Sequence, residues 1–413
     1  MTRTPISVST NEVHRTRITH AIQPSAIESH PGESYSFPVT SHPGKVVVAM
    51  SGGVDSSVAA ALLKQQGFDV VGVFLRLGSP DGVEDNASEC SIDPAKPASK
   101  HKQGCCSVLD AGDARRVAAT LDIPLYVLNF QDGFAKIIDY FVGEYNAGRT
   151  PNPCVRCNDW LKFGRLADYA KAVGADYVAS GHYARIGTDP ASGERTLMRG
   201  LDHSKDQSYV LFGIKPETIA HTLFPIGDFD KPRVREIAHD LGLITYNKPD
   251  SQEICFVPDQ DYASLVRRKA PDRFRAGQLV STDGEVLGEH EGHQHYTIGQ
   301  RKGLGVARGV PLYVIDIDAR SNRVVVGDRD QLLRTSLVAD QLNLIAARLR
   351  DATSPLRCDA KIRYNARPQP CQVTRTGPDQ LTVSFDEPQS AVTPGQAVVL
   401  YDQDVVLGGG WIV

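Results

Sequence analysis

Long apolar runs, a one-sided charge balance and abundant cysteine are all missing from this sequence. No stretch approaches the roughly 20 consecutive apolar residues that cross a bilayer, so no membrane role is expected. The formal net charge is −4 over 413 residues. A polyanionic partner would therefore have to be met by local basic patches and not by a global field. Eight cysteines in such a length are too sparse for a disulfide-stapled secreted scaffold, which favours a reducing, cytoplasmic setting. No internal repeat is evident. Both of the commoner phosphate loops, Gly-x-x-x-x-Gly-Lys-Ser/Thr and Gly-x-Gly-x-x-Gly, are absent as well, so ordinary phosphoryl transfer and hydride transfer lose ground.

What is present reads as globular: 41% hydrophobic and 23% charged residues, with a length that suggests two or three domains. Residues 1–43 are rich in Ser, Thr, Pro and His and lack both an apolar signal core and helical periodicity. They read as a disordered extension. Arg3, Arg15 and Arg17 would suit an organelle transit peptide, but Glu12, Glu28 and Glu33 argue against one. From Lys45 to about Leu201, apolar runs at 46–49, 70–74, 125–128 and 177–180 alternate with helical patterns such as 58–66. Such alternation predicts a parallel sheet covered by helices, with ligands at the carboxyl ends of the strands. Residues 78–104 are polar and dotted with Pro and Gly, and read as a long loop. Asp202–Asp259 reads as helical and charged, with Pro232 suited to a first helical turn. Beyond Asp261, short β-rich segments at 312–317, 323–326, 381–385 and 397–401 are punctuated by Asp283-Gly284 and by Pro388 to Pro394. They predict two small β domains.

The most telling segment is Ser51-Gly52-Gly53-Val54-Asp55-Ser56-Ser57, which directly follows the apolar strand Val46–Ala49. Gly52 and Gly53 let backbone N–H groups approach an anion without a Cβ in the way. Ser51, Ser56 and Ser57 add hydroxyls near a helix N-terminus. Ser-Gly-Gly-x-Asp-Ser resembles the PP-loop of ATP pyrophosphatases, which adenylate a substrate oxygen and release pyrophosphate. The bland alternative is a Gly-rich turn that binds nothing.

Thr150-Pro151-Asn152-Pro153-Cys154-Val155-Arg156-Cys157-Asn158 sets a Cys-x-x-Cys behind two stiffening prolines. Three readings compete: a redox dithiol, half of a metal or iron–sulfur site, or a nucleophile with a tuning neighbour. Arg149 and Arg156 are placed in sequence to favour a thiolate. A structural zinc site usually needs a second Cys or Cys/His pair at short spacing, and none follows. Cys255, in Pro249-Asp250-Ser251-Gln252-Glu253-Ile254-Cys255-Phe256, reads by itself as a packed core thiol. Cys90, Cys105 and Cys106 read as loop cysteines, and Cys358 and Cys371 as packing residues.

Taken in order, the PP-loop, Pro-Asn-Pro-x-x-x-Cys-Asn and Asp-Ser-x-x-Ile-Cys-Phe resemble the tRNA-specific 2-thiouridylase family. Further matching segments are Gly181-His182-Tyr183, Leu201 to Tyr209, Thr297 to Gly305, Arg363-Tyr364, Phe385 to Pro388 and Thr393 to Gln396. The resemblance covers Lys45 to the C-terminus. It implies an α/β fold with a parallel-sheet, adenine-nucleotide α-hydrolase-like PP-loop domain over 44–259, a small central β-rich domain over 260–330 and a C-terminal β-barrel over 331–413. It also implies ATP-dependent 2-thiolation of the wobble uridine of tRNA.

Residue by residue, the resemblance implies ATP and Mg2+ binding around Ala49, Met50, Ser51, Gly52, Gly53, Val54, Asp55, Ser56, Leu75 and Gly181. Asp55 would orient the ATP or its metal, the alternative being a helix-cap carboxylate. Cys255 would carry a persulfide from a sulfur-relay donor, and Cys157 would be the catalytic thiol that releases the sulfur, with a disulfide between the two as one outcome. Cys154 departs from the family pattern, which often has an aspartate there. It is either an acid/base thiol or, with Cys157 and Cys255, a ligand of a [4Fe–4S] cluster. Implied tRNA contacts are Asn152, Pro153 and Cys154 near the target base, together with His182, Lys205, Asp206, Gln207, Arg363, Tyr364 and Gln396. Between Arg357 and Arg375 five basic residues face the single acid Asp359, and Arg267-Arg268-Lys269 adds a second cluster. Solvated surface charge is the default reading of both. Tyr364 is a candidate for base stacking, with a core tyrosine as the alternative. Competing functions are a PP-loop enzyme acting on a carboxylate or amide, which the cysteines disfavour, and a non-enzymatic iron–sulfur or redox RNA-binding protein.

Overall fold

A computed structural model describes residues 43–78, 108–189, 192–250, 254–257, 261–306 and 309–413. The expected N-terminal extension, the polar loop after Gly78, and Cys90, Cys105 and Cys106 lie outside them. Among the described residues no helix is long and apolar enough to cross a membrane.

The first sheet is parallel and grows from the Val-rich run at its centre. Strand β1 (Lys45–Ala49) holds Val46, Val47 and Val48 at 0% exposure, as expected of a strand covered on both faces. It pairs in parallel with β2 (Asp69–Arg76) on one side and β4 (Tyr177–Ser180) on the other. β3 (Leu125–Asn129) and β7 (Thr222–Leu223) lie outermost, giving the order β3-β2-β1-β4-β7. The chain therefore leaves β1 at the point where the strand order reverses, and the crevice at such a switch point is where α/β sheets bind ligands. The helix that follows, α1 (Val54–Gln65), starts four residues earlier than the sequence pattern indicates, because buried Val54 directly follows the Gly53 cap. Helices α2 (Val108–Thr120) and α3 (Gln131–Asn146) complete the first half of the domain. α3 turns Phe134, Ile137, Ile138 and Phe141 into the core.

Two departures from the sequence reading matter for the site. The 202–259 region is mostly short turns, with Lys231–Asp240 as its one longer helix among the described residues. Pro232 sits in its first turn as expected, and Asp230 accepts from Arg233 N–H as the cap. In addition, β5 (Ala184–Thr188) and β6 (Arg195–Arg199) form an antiparallel hairpin that does not join the parallel sheet. It extends the C-terminal one through Val405 and Met198.

The central region is a four-stranded sheet, β8 (Gly277–Ser281), β9 (Val286–His290), β10 (Tyr313–Asp318) and β11 (Arg323–Gly327), in the order β10-β11-β8-β9. The C-terminal region holds β12 (Leu333–Leu344), β13 (Leu356–Lys361), β14 (Gln369–Gly377), β15 (Gln380–Ser390), β16 (Ala397–Asp402) and β17 (Val405–Ile412). β12 pairs with both β15 and β17, which closes these strands into an antiparallel barrel. Pro388, expected to interrupt the chain, lies inside β15. The β12 register skips there from Arg334↔Gln389 to Ser336↔Ser384, and a bulge of this kind tolerates a residue without an N–H.

Candidate active site

The loop after β1 is braced from within and left open at its tip. Gly52 has φ +74°, a left-handed conformation that favours glycine. A Cβ there would lie 2.2 Å from the Asp110 carbonyl oxygen. Ser56 Oγ accepts from Ser51 N–H at 3.1 Å and donates to the Gly53 carbonyl at 3.2 Å, while Ser57 Oγ donates to the same carbonyl at 2.7 Å. No side chain caps α1. Its first turn thus lacks a side-chain cap and carries the positive end of the helix dipole, an arrangement suited to phosphate oxygens. Gly181, at the end of β4, lets that strand lie against α1: a Cβ would come within 2.4 Å of the Asp55 carbonyl carbon. Met50 and Leu75 are buried.

Charges around the loop form a connected network that the sequence reading missed. Lys231 Nζ lies 2.8 and 2.9 Å from the two oxygens of Asp55 and 2.8 Å from Asp250. Tyr183 donates its hydroxyl to Asp55 at 2.8 Å. Asp250 also accepts from Arg235 at 2.9 Å and Lys205 at 3.2 Å. Burial pushes the Asp250 carboxyl up, but Lys231 and Lys205 together hold it below the ordinary carboxylate range. Lys248 Nζ donates to the Gly52 carbonyl at 2.9 Å and reaches Asp110 and Asp113 at 2.6 and 2.5 Å, pinning the loop to α2. Asp55 thus has a defined job in the fold, as partner of Lys231 and Tyr183.

The second constellation is the Cys-x-x-Cys segment. Pro153–Arg156 forms one helical turn, with Pro153 in its first turn and Asn152 Oδ1 accepting from Val155 N–H at 3.4 Å. At Cys157 the chain widens into a π-helix, Cys157–Arg165, in which Leu166 N–H reaches back to the Leu161 carbonyl. Such helices cluster at functional sites. Cys154 is exposed and Cys157 half-buried. The barrel grips the approach to this turn: Thr150 N–H donates to the Pro394 carbonyl at 2.9 Å, and Gln396 Nε2 donates to the Thr150 and Pro151 carbonyls at 3.0 and 3.1 Å. Cys255, half-buried, sits in the turn Ile254–Val257, which is anchored by Phe256 edge-on to Phe134 and Phe141 at 5.6 and 5.2 Å. Cys157 and Cys255 pack against the same apolar core despite their distance in sequence.

Compared with known proteins, residues 44–259 match the tRNA methyl transferase HUP domain, 265–328 the tRNA methyl transferase PRC-barrel domain and 334–412 the aminomethyltransferase beta-barrel domain. The tRNA-specific 2-thiouridylase MnmA of Rhodopirellula baltica is 50% identical over 392 residues, covering 89% of this chain and 96% of its own. The MnmA proteins of Clostridioides difficile and Carboxydothermus hydrogenoformans are 48% and 47% identical, each over 89% of this chain and 98% and 97% of their own. The chain belongs to the MnmA family. A solved 4-thiouridine synthetase–RNA complex with bound ATP aligns with 56% of this chain and 51% of its own, at 18% identity and a TM-score of 0.32. That likeness is too remote to bear on the reading.

Against this MnmA frame, the candidate RNA-contact residues divide in two. Tyr364 is 39% exposed, lies edge-on to Tyr209 at 6.2 Å and has Lys361 Nζ 5.5 Å from its ring. Burial pushes its phenol up, followed by the fields of Asp206 and Cys154, and its ring partner Tyr209 lies on the short helix Ser208–Leu211 that packs against the Pro153–Arg156 turn. Arg363 is exposed and donates to the Ser390 carbonyl at 2.8 Å. Others are committed inside the fold. Asp206 is buried and accepts from Gly200 N–H, Ser208 N–H and Ser208 Oγ at 3.0–3.1 Å. Gln207 Oε1 accepts from Tyr183 N–H at 3.0 Å, Lys205 pairs with Asp250, and Gln396 holds the 150–151 carbonyls. His182 is only 8% exposed, with Nδ1 2.6 Å from Ser180 Oγ and Phe224 edge-on at 6.0 Å. It therefore packs the end of the strand inside the fold.

Both arginines expected to act on the thiols are also engaged elsewhere. Arg149 pairs with Glu144 at 2.5 and 2.7 Å. The Arg156 guanidinium lies 3.9 Å from the Trp411 ring centre and donates to Gln341 at 2.8 Å.

Burial holds the His182 imidazole well below its ordinary value, with Lys162 adding to the effect. The unfolded chain therefore takes up a proton as pH falls through about 6.5 while the folded chain does not. Stability present above that pH is lost below it, at up to about 1.4 kcal/mol per pH unit for such a histidine. Thermal melts at pH 7.5 and 5.5 are expected to separate less for His182→Asn than for the parent; equal separation would contradict a neutral buried His182.

Proposed function

We propose that this chain uses ATP to activate the C2 oxygen of a tRNA wobble uridine and replaces that oxygen with sulfur through Cys157 and Cys255. The observation that carries the reading is the packing of these two cysteines on one core, with the Cys154 turn gripped by the barrel beside exposed Tyr364. A carbonyl oxygen is a poor leaving group. ATP supplies AMP to that oxygen and Mg2+ offsets the charge on the phosphates, while the open N-terminus of α1 and the Ser51–Gly53 loop would receive the departing pyrophosphate. The base must be splayed from the anticodon stack before C2 is reached, and Tyr364 is the aromatic surface available to hold it.

Sulfur arrives from a persulfide donor onto Cys255. The terminal sulfur of that persulfide attacks C2, and AMP leaves with the former uridine oxygen. Cys157 then attacks the Cys255 sulfur, which frees the thiocarbonyl and leaves a Cys157–Cys255 disulfide for an external reductant to reopen. Cys154 stands at the exposed N-terminal turn, where it would face the base.

Cys154, Cys157 and Cys255 have the donor chemistry for an iron–sulfur cluster. Among the described residues, however, no three Cys, His, Asp or Glu side chains are grouped to hold a metal. The donor set does not fit such a cluster as it stands, so no step is routed through one.

Transfer of radiolabelled sulfur tests the assignment. Cys157→Ser is expected to retain a reducible label on Cys255 after incubation with a persulfide donor, whereas Cys255→Ser is expected to retain none at that peptide and to make no 2-thiouridine. Equal thiolation by Cys255→Ser and the parent would overturn the route.

A further inference from the structure

Cys358 and Cys371, which the thiolation route leaves unused, face each other across the barrel strands. They are directly opposed in the β13–β14 pairing, and their sulfurs lie 3.7 Å apart. Directly opposed residues of antiparallel strands have Cα atoms about 4.5–5.5 Å apart, inside the range of about 4.4–6.8 Å that a disulfide spans. Bringing the sulfurs to bonding distance therefore takes side-chain rotation and no strand movement. The two thiols are unequal: Cys358 is half-buried, while Cys371 is at 0% exposure and donates to the Cys358 carbonyl at 3.4 Å. The hydrogen bond with Cys358, followed by burial, raises the Cys371 thiol above its ordinary range. Cys358 is the more accessible of the two residues and Cys371 lies fully buried directly opposite it, the arrangement of an attacking and a resolving thiol.

We propose that Cys358 and Cys371 form a second dithiol site, reactive toward low-molecular-weight disulfides, that closes reversibly into a disulfide at the neck of the β13–β14 hairpin. The Cys358 thiolate attacks one sulfur of the small disulfide, breaking its S–S bond and releasing one thiol. Cys371 then attacks the Cys358 sulfur of the mixed disulfide, and the second small thiol is expelled carrying the Cys371 proton. Both cysteines are oxidised, and the two electrons leave with the two small thiols. In a reducing compartment the bond is transient. While it lasts, the connecting residues 362–368, which include Arg363 and Tyr364, form a covalently closed loop. The inference stands on the strand geometry and does not depend on the thiolation reading.

The test uses the full chain and oxidised glutathione as the probe, followed by quenching with N-ethylmaleimide and non-reducing tryptic mapping. Trypsin cuts after Arg357, Lys361, Arg363 and Arg375, so the two cysteines fall in separate peptides, 358–361 and 364–375. The expected result is loss of both thiols to alkylation and appearance of those peptides joined, reversed by dithiothreitol. Cys371→Ser is expected to stop at a Cys358–glutathione mixed disulfide. Full alkylation of both cysteines after oxidation, or a mixed disulfide that persists in the parent chain, would overturn the proposal.

Discussion

Cys157→Ala is expected to lower 2-thiouridine formation on the order of a thousandfold or more, while ATP binding and the melting temperature stay near those of the parent. Cys157 stands where the turn Pro153–Arg156 opens into the π-helix. Alanine is the strongest helix former, so the substitution removes a sulfur and leaves the backbone supported. The Ser51–Gly53 loop proposed to receive the phosphates lies on other elements and is braced by Ser56, Ser57 and Lys248, which is why nucleotide binding should be spared. Nucleoside mass spectrometry of digested tRNA, with calorimetric ATP titration on the same preparation, separates the two effects. Retained thiolation would remove Cys157 from the chemistry.

Gly52→Ala is expected to do the reverse: to cripple nucleotide binding first, and thiolation as a consequence. The left-handed backbone at this position costs a non-glycine residue about 1–3 kcal/mol. The new Cβ would also lie 2.2 Å from the Asp110 carbonyl oxygen. α2 cannot easily recoil, because Lys248 ties Gly52 to Asp110 and Asp113 at 2.5–2.9 Å. Relief must come from the loop itself, so ATP affinity should fall about tenfold for each 1.4 kcal/mol shifted into the bound state. Gly112→Ala is the matched control, since a Cβ there meets nothing within 4 Å and alanine favours the helix. ATP affinity unchanged in Gly52→Ala, or lost equally in Gly112→Ala, would contradict a phosphate role for this loop.

The parts of this fold that were legible in the sequence are those set by local pattern. The Val46–Val48 run is apolar throughout because β1 is covered on both faces, and the Ser-Gly-Gly turn after it is readable because only glycine accepts the backbone of Gly52. Pro232 marks a helix start by its own stereochemistry. What was not legible depends on contacts far apart in the chain. Lys231 and Asp250 look like ordinary surface charges until folding brings both against one another beside Asp55. Asp250 lies shortly before Cys255 in the sequence, a local sign that it would matter. The β5–β6 hairpin is a plain β pattern whose partner strand, β17, lies some two hundred residues on. His182 and Asp206 are polar and adjacent to recognisable motifs, so they read as surface contacts; burial and internal hydrogen bonds are invisible without the fold. The widening of the helix at Cys157 has no sequence signature that we can identify.

The most direct measurement of the central claim is a product analysis with the purified chain, a tRNA bearing a wobble uridine, ATP, Mg2+ and a persulfide donor, following nucleosides and nucleotides together. The account predicts 2-thiouridine at the wobble position, with AMP and pyrophosphate formed in step with it and neither formed without the tRNA. Thiolated tRNA accompanied by ADP and phosphate, or cleavage of ATP to AMP with no sulfur entering the tRNA, would contradict it.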